Sequence, residues 1–521
     1  MKTKGKVYLV GGGPGDPELI SLKALRCLKE ADAVIYDRLI NPALLQYAPP
    51  KAKIIYAGKS PYGERGRTTQ KHTLSQDEIN SLLVKKAKQG KTVARLKCGD
   101  PFLFGRGAEE ALFLSRHKVP FEIVPGISSA LAVPAYAGIP LSHRNYTSSI
   151  GIFTGHEEKD KTNSAINWPK ISTGLGTLVF LMGVENLSFI VKNLLSSGRP
   201  KSTPCCLIQE GTTPRQKTVT ANLGTIVPEA KQAKIRPPAL LVVGEVVSLR
   251  KRLDWFENKP LFGKKILITR PMASPRGGPA EEKNRLAQIL EEYGARCIEL
   301  PAIEIKPLTF YGELDSAIKN ISNFNWLIFS SQNAVKFFKE RLTYLKKDLN
   351  TLNAIKIAAI GPNTKMTLEN LGLKVTLEPK EFCQEGLLEA FKKINIRDKN
   401  ILIARCLQAR NVLPQGLEQM GAKVKIAPAY QTTINHQPSA ISKKILTEVD
   451  IITFTSAFTV KSFFAAGPKK TFKRIFSKTI IASIGPITSQ EVTKRGFKVT
   501  IEAKKYTFEG LAEAIAGYYH K

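Results

Sequence analysis

"GGGPGDPELISLKAL", residues 11–25, follows the apolar run Val7–Val10 and decides the first reading of the fold: a strand passing through glycines into a helix, the opening of an α/β unit. A dinucleotide loop would spell G-x-G-x-x-G. A phosphate loop would set a Lys-Ser/Thr pair at the helix start, so that backbone N–H groups and a cation meet phosphate. Here the glycines end in Pro14-Gly15-Asp16-Pro17, with an acid and no lysine. The loop is therefore expected to hold a ligand that is not a phosphate.

Outward from this loop, short apolar strands at Val7–Val10, Ala33–Tyr36, Thr92–Leu96, Gly151–Thr154, Thr177–Leu181, Cys206–Gln209 and Ala239–Val243 alternate with amphipathic helical stretches, the pattern of an α/β fold. "SLRKRLDWFENKPLFGKK" (248–265) interrupts the rhythm with charges, Pro260 and Gly263, before a fresh strand at Lys265–Thr269. Two domains are predicted, 1–258 and 264–521.

The second half repeats itself. "FSSQNAVKFF" (329–338) is similar to "FTSAFTVKSFF" (454–464), "IAAIGPNT" (357–364) to "IASIGPIT" (481–488), and "CQEGLLEAF" (383–391) to "TFEGLAEAI" (507–515), all offset by 124 or 125 residues. "ILITRP…YGARCIELPA" (266–302) pairs in the same way with "ILIARC…MGAKVKIAPA" (401–429). Two copies of one α/β unit predict two similar lobes, about 264–302 plus 433–521 and about 303–432. Ligands of such pairs are expected near strand carboxyl ends, where hydroxyls and helix N–H groups collect anions.

At 521 residues the chain is too long for one core. No apolar run approaches the roughly 18 residues of a membrane helix, and Met1–Val10 is too short for a signal peptide, so a cytoplasmic protein without a membrane partner is expected. The seven cysteines (27, 98, 205, 206, 297, 383, 406) include no C-x-x-C, and their odd number argues for free thiols. No His/Cys cluster has metal-ligand spacing, so no metal is expected. The net charge of +34 is shared: 38 basic against 21 acidic residues before residue 260, and 40 against 23 after it. A spread positive field suits nucleic acid or a polyanionic small molecule. The chain has no aromatic-basic RNA signature, zinc finger or basic helix, which leaves the small polyanion as the favoured partner and a nucleic-acid-binding protein as the alternative.

Further motifs are "YDRLI" (36–40), "GK" (58–59), "RLKCGDPFLFGRGAEE" (95–110), "VPGISSALAVPAYAGIPLSHR" (124–144), "TGH" (154–156), "LVFLMGVENL" (178–187) and "EGTTPRQKTV" (210–219). In order and spacing they resemble the tetrapyrrole methyltransferases, most closely uroporphyrinogen-III C-methyltransferase, over nearly all of 5–258. The resemblance implies two α/β lobes with S-adenosylmethionine in the cleft between them, and transfer of two methyl groups to uroporphyrinogen III, giving precorrin-2. It places Pro14, Cys98, Gly99, Asp100, Leu103, Ser128, Ser129, Met182 and Gly211 around the cofactor. Asp37 becomes the proton acceptor and Lys59 the proton donor. Arg106, Glu109, Arg144, His156 and Met182 line the substrate side, with Arg106 among the catalytic residues. The macrocycle carries eight carboxylates, which guanidinium forks bind bidentately. A zwitterionic sulfonium cofactor accounts for a Gly-Pro-Gly-Asp loop without lysine. A methylase of a later corrin precursor is the alternative within the class. Methyltransferases of this family are commonly dimers, which implies a homodimer through this domain.

From about 264 to 521 the repeat, "ITRP" (268–271) and the paired "SIGP" and "FTS" elements resemble uroporphyrinogen-III synthase. That resemblance implies cyclisation of hydroxymethylbilane with loss of water and without metal or cofactor. Candidate anchors are Arg270, Ser330, Ser331, Arg405, Thr455, Ser456 and Thr488. Tyr430, in "PAYQT", is the candidate donor to the leaving hydroxyl. For each of these residues, helix capping or lobe packing is the competing role.

Overall fold

The computed structural model describes residues 5–58, 74–156, 165–269, 285–300, 302–434, 448–465, 472 and 476–520. The chain divides into two compact units that meet in sequence at Lys264–Lys265, the first also taking in Glu291–Arg296.

In the first unit, β1 (Val7–Gly11), β2 (Ala33–Tyr36), β3 (Lys53–Tyr56), β4 (Val93–Lys97) and β5 (Phe121–Val124) form a sheet of order β3-β2-β4-β1-β5, parallel throughout. Both faces of this sheet are covered. Val7, Leu9 and Ile35 pack into one cluster and Val10, Val34 and Leu96 into another, so the central strands read as unbroken apolar runs. A second sheet, of order β6-β7-β10-β8-β9, combines β6 (Ile150–Thr154), β7 (Thr177–Leu181), β8 (Pro204–Gln209), β9 (Lys217–Asn222) and β10 (Ala239–Val243). Here β10 runs antiparallel to both β7 and β8, while β6 is parallel to β7, so β6, β7 and β8 all end at the same edge.

The α/β reading therefore holds, with strands β3, β5 and β9 added to those read from the sequence. β3 and β9 are sheet edges whose residues are exposed or half-exposed along their length (KIIY, KTVTAN), so neither shows the buried-to-exposed alternation that marks a strand. The opening loop departs from the strand-into-helix expectation. A short 3₁₀ turn, Pro17–Leu19, follows the glycines, and the first α-helix, Leu22–Lys29, starts only after Ser21, whose side chain caps it. No α-helix N-terminus lies in the glycine loop, consistent with a loop not built for phosphate.

In the second unit, β11 (Lys265–Ile268), β12 (Arg296–Glu299), β13 (Ile303–Lys306), β14 (Trp326–Phe329), β15 (Lys356–Ala359), β16 (Val375–Leu377), β17 (Asn400–Cys406), β18 (Lys423–Ile434), β19 (Ile451–Phe454), β20 (Ile480–Ser483) and β21 (Ile501–Glu502) form two sheets. Their orders are β12-β11-β19-β20-β21 and β13-β18-β17-β14-β15-β16. Apart from the added β13, the two match strand for strand, with β12 answering β18, β11 answering β17, and β19, β20, β21 answering β14, β15, β16.

The repeated words have structural counterparts. Cys383 caps helix Gln384–Phe391 and Thr507 caps helix Phe508–Tyr519, each accepting from the N–H three residues on. The glycine that follows in each copy is forced by a close approach: a Cβ at Gly386 would lie 2.2 Å from the Glu381 carbonyl, and one at Gly510 would lie 2.3 Å from the Lys505 carbonyl. Among the described residues no helix is long and apolar enough to cross a membrane.

Phe391 is fully buried and meets Trp326 edge-on, with ring centroids 5.1 Å apart. Phe391→Ala is expected to cost about 3–5 kcal/mol, read in urea denaturation followed by tryptophan fluorescence.

Candidate active sites

Three loops at the carboxyl ends of β1, β4 and β5 meet backbone to backbone. A Cβ at Gly11 would fall 2.5 Å from the Gly126 nitrogen and 2.7 Å from the Gly99 carbonyl, and one at Gly126 would fall 2.4 Å from that same carbonyl. Only hydrogen fits at these points. Gly13 and Gly99 bridge through Gly99 N–H to the Gly13 carbonyl at 2.8 Å, both with positive φ. Asp100 locks the arrangement. Its Oδ1 accepts from the N–H of Phe102 (2.7 Å) and Leu103 (3.1 Å), and its Oδ2 accepts from Gly126 N–H (3.0 Å).

The second lobe closes on the same loops. Thr212 Oγ1 accepts from Asp16 N–H at 3.1 Å, and a Cβ at Gly15 would meet that hydroxyl at 2.8 Å. Asp16 also caps the 3₁₀ turn through Glu18 N–H and accepts from the Tyr136 hydroxyl at 2.8 Å. Among the described residues nine non-glycine residues have positive φ, and five of them (Phe104, Arg106, Met182, Glu210, Thr212) sit in the loops after β4, β7 and β8. Backbone strain so concentrated marks a functional region.

Of the residues assigned to the cofactor side, Pro14, Cys98, Gly99, Asp100, Leu103, Ser128 and Ser129 lie on the β1, β4 and β5 loops, and Met182 and Gly211 on the loops after β7 and β8. Ser128 caps the helix Ser129–Tyr136 through Ala130 N–H. Burial, reinforced by the charge of Asp37, pushes the Cys98 thiol up to about 11. All seven cysteines are free.

Asp37 follows β2 directly, with its side chain 30% exposed, on top of an ionic cluster that sequence reading missed. Arg95 and Lys97 point the same way from β4 and are almost wholly buried, as is Glu110 in helix Gly107–Arg116. Arg95 donates through Nη2 to Asp37 Oδ1 (2.6 Å) and through Nε to Glu110 Oε1 (3.1 Å). Lys97 donates to Glu110 Oε1 (2.9 Å) and lies 3.6 Å from Asp37 Oδ2. Burial alone would lower the Arg95 pKa; the charges of Glu110 and Asp37 outweigh it and hold the guanidinium above its ordinary value. The signal available in the sequence was two cations two residues apart inside an apolar strand, which a strand buried on both faces cannot leave unpaired.

Of the residues assigned to the substrate side, Arg106 and Glu109 form an exposed bidentate pair (2.9 and 2.6 Å), which pulls the Glu109 carboxyl below its usual range. Arg144 lies exposed in the His143–Thr147 turn, and His156 is exposed just after β6, at the edge that also carries Met182. Lys59 and Arg270 lie outside the described residues.

In the second unit, each lobe's chain reverses its direction of strand addition once, between β11 and β19 and between β17 and β14. Open α/β sheets bind ligands outside such points. Ser330 and Ser331 follow β14, Arg405 is the penultimate residue of β17, Thr455 and Ser456 follow β19, and Thr488 is buried in the first turn of helix Pro486–Lys494 after β20. Capping is realised for Ser331 and Ser456, which accept from Ala334 N–H and Thr459 N–H. Ser331 Oγ also lies 3.1 Å from the hydroxyl of Tyr430, a buried residue of β18 stacked on Phe337. Arg405 is turned to its own loop, donating to the Arg410 carbonyl and Asn411 Oδ1 at 2.7 Å each. Among the described residues no group of His, Cys, Asp and Glu is set to hold a metal.

Fold and sites together define an enzyme of two α/β units, each built of two lobes with functional groups at strand ends. Residues 6–227 match the family model of tetrapyrrole (corrin/porphyrin) methylases, and residues 284–513 match that of uroporphyrinogen-III synthase. A porphyrin biosynthesis protein HemD of Ruminiclostridium josui is 34% identical over 98% of this chain and 97% of its own length. A uroporphyrinogen-III C-methyltransferase of Methanocaldococcus jannaschii is 51% identical over 47% of this chain and 98% of its own. The solved uroporphyrin-III C-methyltransferase of Thermus thermophilus in complex with S-adenosylhomocysteine is 40% identical, covering 47% of this chain and all of its own, with a TM-score of 0.40. The chain belongs to the porphyrin-biosynthesis family that joins a tetrapyrrole methylase to a uroporphyrinogen-III synthase.

Asp100→Asn replaces one of two accepting oxygens with a donor. Loss of a hydrogen bond to a charged group costs about 1.5–3 kcal/mol, so hydrogen exchange at the amides of Phe102, Leu103 or Gly126 is expected to accelerate by at least about tenfold, read by mass spectrometry.

Proposed function

We propose that the chain is a bifunctional enzyme of tetrapyrrole synthesis. Its second unit cyclises hydroxymethylbilane to uroporphyrinogen III with loss of water, and its first unit methylates that product twice to give precorrin-2. The observation that carries this reading is that the two halves match two enzymes of which one makes the other's substrate, within a chain similar end to end to a porphyrin biosynthesis protein.

The first unit's residues suit S-adenosylmethionine. The touching glycines make a cradle of bare backbone, residues 11–17 bring no cation, and the two nearby carboxylates, Asp16 and Asp100, are already held by the chain's own donors. Backbone and negative charge favour a sulfonium over a phosphate. Pro14, Cys98, Gly99, Asp100, Leu103, Ser128, Ser129, Met182 and Gly211 would hold it. When bound, it supplies an electrophilic methyl group. Asp37, presented to solvent by a buried cation pair, takes the proton that carbon methylation releases, with Lys59 as donor. Arg144 and Arg106 receive substrate carboxylates, and Glu109 keeps the Arg106 guanidinium extended until a carboxylate replaces it. Glu109, His156 and Met182 complete the substrate side.

In the second unit Tyr430, oriented by Ser331, gives a proton to the hydroxyl that leaves as water. Ring closure releases a proton in return. Ser330, Thr455, Ser456, Thr488 and Arg270 anchor the open chain. Arg405 acts by fixing the loop 406–411 beside them.

Anaerobic incubation of the whole chain with hydroxymethylbilane is expected to give the type III isomer, and a product two methyl groups heavier once S-adenosylmethionine is added. Type I isomer alone, with no methylation even of supplied uroporphyrinogen III, would overturn both assignments. Asp37→Asn is expected to lower methylation at least about 100-fold while cyclisation persists, and Tyr430→Phe to slow cyclisation while methylation persists. We propose also that the enzyme is a cytoplasmic homodimer through its methyltransferase unit. Light scattering should then report twice the 57.4 kDa of one chain.

A further inference from the structure

The ionic cluster beneath Asp37 is uneven in a way that stability does not require. Glu110 Oε1 accepts from three donors, Arg95 Nε (3.1 Å), Lys97 Nζ (2.9 Å) and Gln76 Nε2 (3.2 Å). Its Oε2, fully buried, meets no hydrogen-bond partner among the described residues. A buried ion pair is seldom more stable than apolar side chains of the same volume, and an orphaned carboxylate oxygen adds a further cost. Four charges, two of each sign, are thus gathered at one strand end, and only Asp37 reaches solvent.

The division of donors is informative. Arg95 gives Asp37 one N–H at Oδ1 and gives Glu110 another; the Lys97 ammonium sits on Glu110 and stands 3.6 Å from Asp37 Oδ2. Glu110 thereby draws both cations to itself. Asp37 is held firmly by one oxygen, and the other keeps its lone pairs for a proton. Two cations facing Asp37 unopposed would hold its negative charge more tightly and make it a weaker base.

We propose that Glu110 is a positioning residue for proton abstraction, which balances the cations that orient Asp37 and so preserves the basicity of the Asp37 carboxylate. The proposal rests on the reading of Asp37 as proton acceptor. In the step concerned, a C–H or N–H bond of the methylated macrocycle breaks, its electron pair stays with the ring, and the proton forms an O–H bond on Asp37. Glu110 neither gains nor loses a proton. The groups that face Asp37 are Arg95, Lys97 and the Cys98 thiol from β4, with Arg38 next to it on its own loop.

The test uses the full chain, uroporphyrinogen III and S-adenosylmethionine under anaerobic conditions, and follows methylation from pH 5 to 9. Glu110→Gln is expected to lower kcat about tenfold with little change in KM, and to move the acid limb of the kcat profile about one unit towards lower pH, because unopposed cations keep Asp37 ionised further into acid. The double variant Glu110→Gln/Lys97→Met removes one charge of each sign, and should bring the acid limb back. Cyclisation by the second unit and calorimetric binding of S-adenosylhomocysteine report that each variant is folded. If Glu110→Gln is folded and its acid limb does not move, or if the double variant leaves the limb displaced, the proposal is wrong. If the single variant does not fold, the double variant alone decides: an acid limb away from its wild-type position refutes the proposal. Should Asp37→Asn methylate at the normal rate, it is the assignment of Asp37 that fails.

Discussion

A parallel sheet buried on both faces can offer a ligand only its ends. β1, β2, β4 and β5 in the first unit, and β14, β15, β17, β19 and β20 in the second, are walled by apolar clusters or neighbouring strands. In the first lobe Asp37 accordingly follows the last residue of β2, and Arg106 and Glu109 come from the longer loop and the helix start that follow β4. This constraint explains why glycines concentrate there. Three loops leaving adjacent strands must share one small space, and Gly11, Gly99 and Gly126 let their backbones touch. Asp100 then spends its carboxylate on three N–H groups of those loops and supplies the bonds that such a turn leaves unmade.

The same constraint makes charge placement costly. A carboxylate at a strand end needs cations to hold it, and those cations must come from strands whose flanks are apolar. Arg95 and Lys97 meet the need from within β4, and Glu110 makes their burial tolerable. Asp37 is the solvent-facing member of this cluster, which distinguishes it from an ordinary surface ion pair, where both partners would be free to move.

Sequence reading reached the fold through its apolar runs, because buried parallel strands leave the plainest mark a strand can leave. β2, β7 and β10 carry the bounds read from the sequence. The edge strands β3 and β9 went unread, since a half-exposed edge carries neither an unbroken run nor a clean alternation. The clustering of positive φ at Phe104, Arg106, Met182, Glu210 and Thr212 could not be read, because none of these residues announces left-handed backbone as glycine does. Arg95, Lys97 and Glu110 all lay inside the quoted motif "RLKCGDPFLFGRGAEE" (95–110), yet their partnership depends on helix Gly107–Arg116 folding back over β4, which spacing alone does not show.

The duplicated synthase poses a different question. Its lobes share strand order, capping pattern and the glycine close approach after each cap. Such near-symmetry suits a ligand made of four similar pyrroles, whose carboxylates recur along its length. The chemistry, however, inverts one ring only, so the groups that act on it must lie where the copies differ. "PAY" (428–430) in one copy answers "PAI" (301–303) in the other, which leaves Tyr430 without a counterpart. Its contact with Ser331 is likewise unmatched: the equivalent serine, Ser456, engages Thr459 within its own helical turn. At the hydroxyl pair of Tyr430 and Ser331 the two copies therefore part, an asymmetry of the kind that a reaction at a single ring demands.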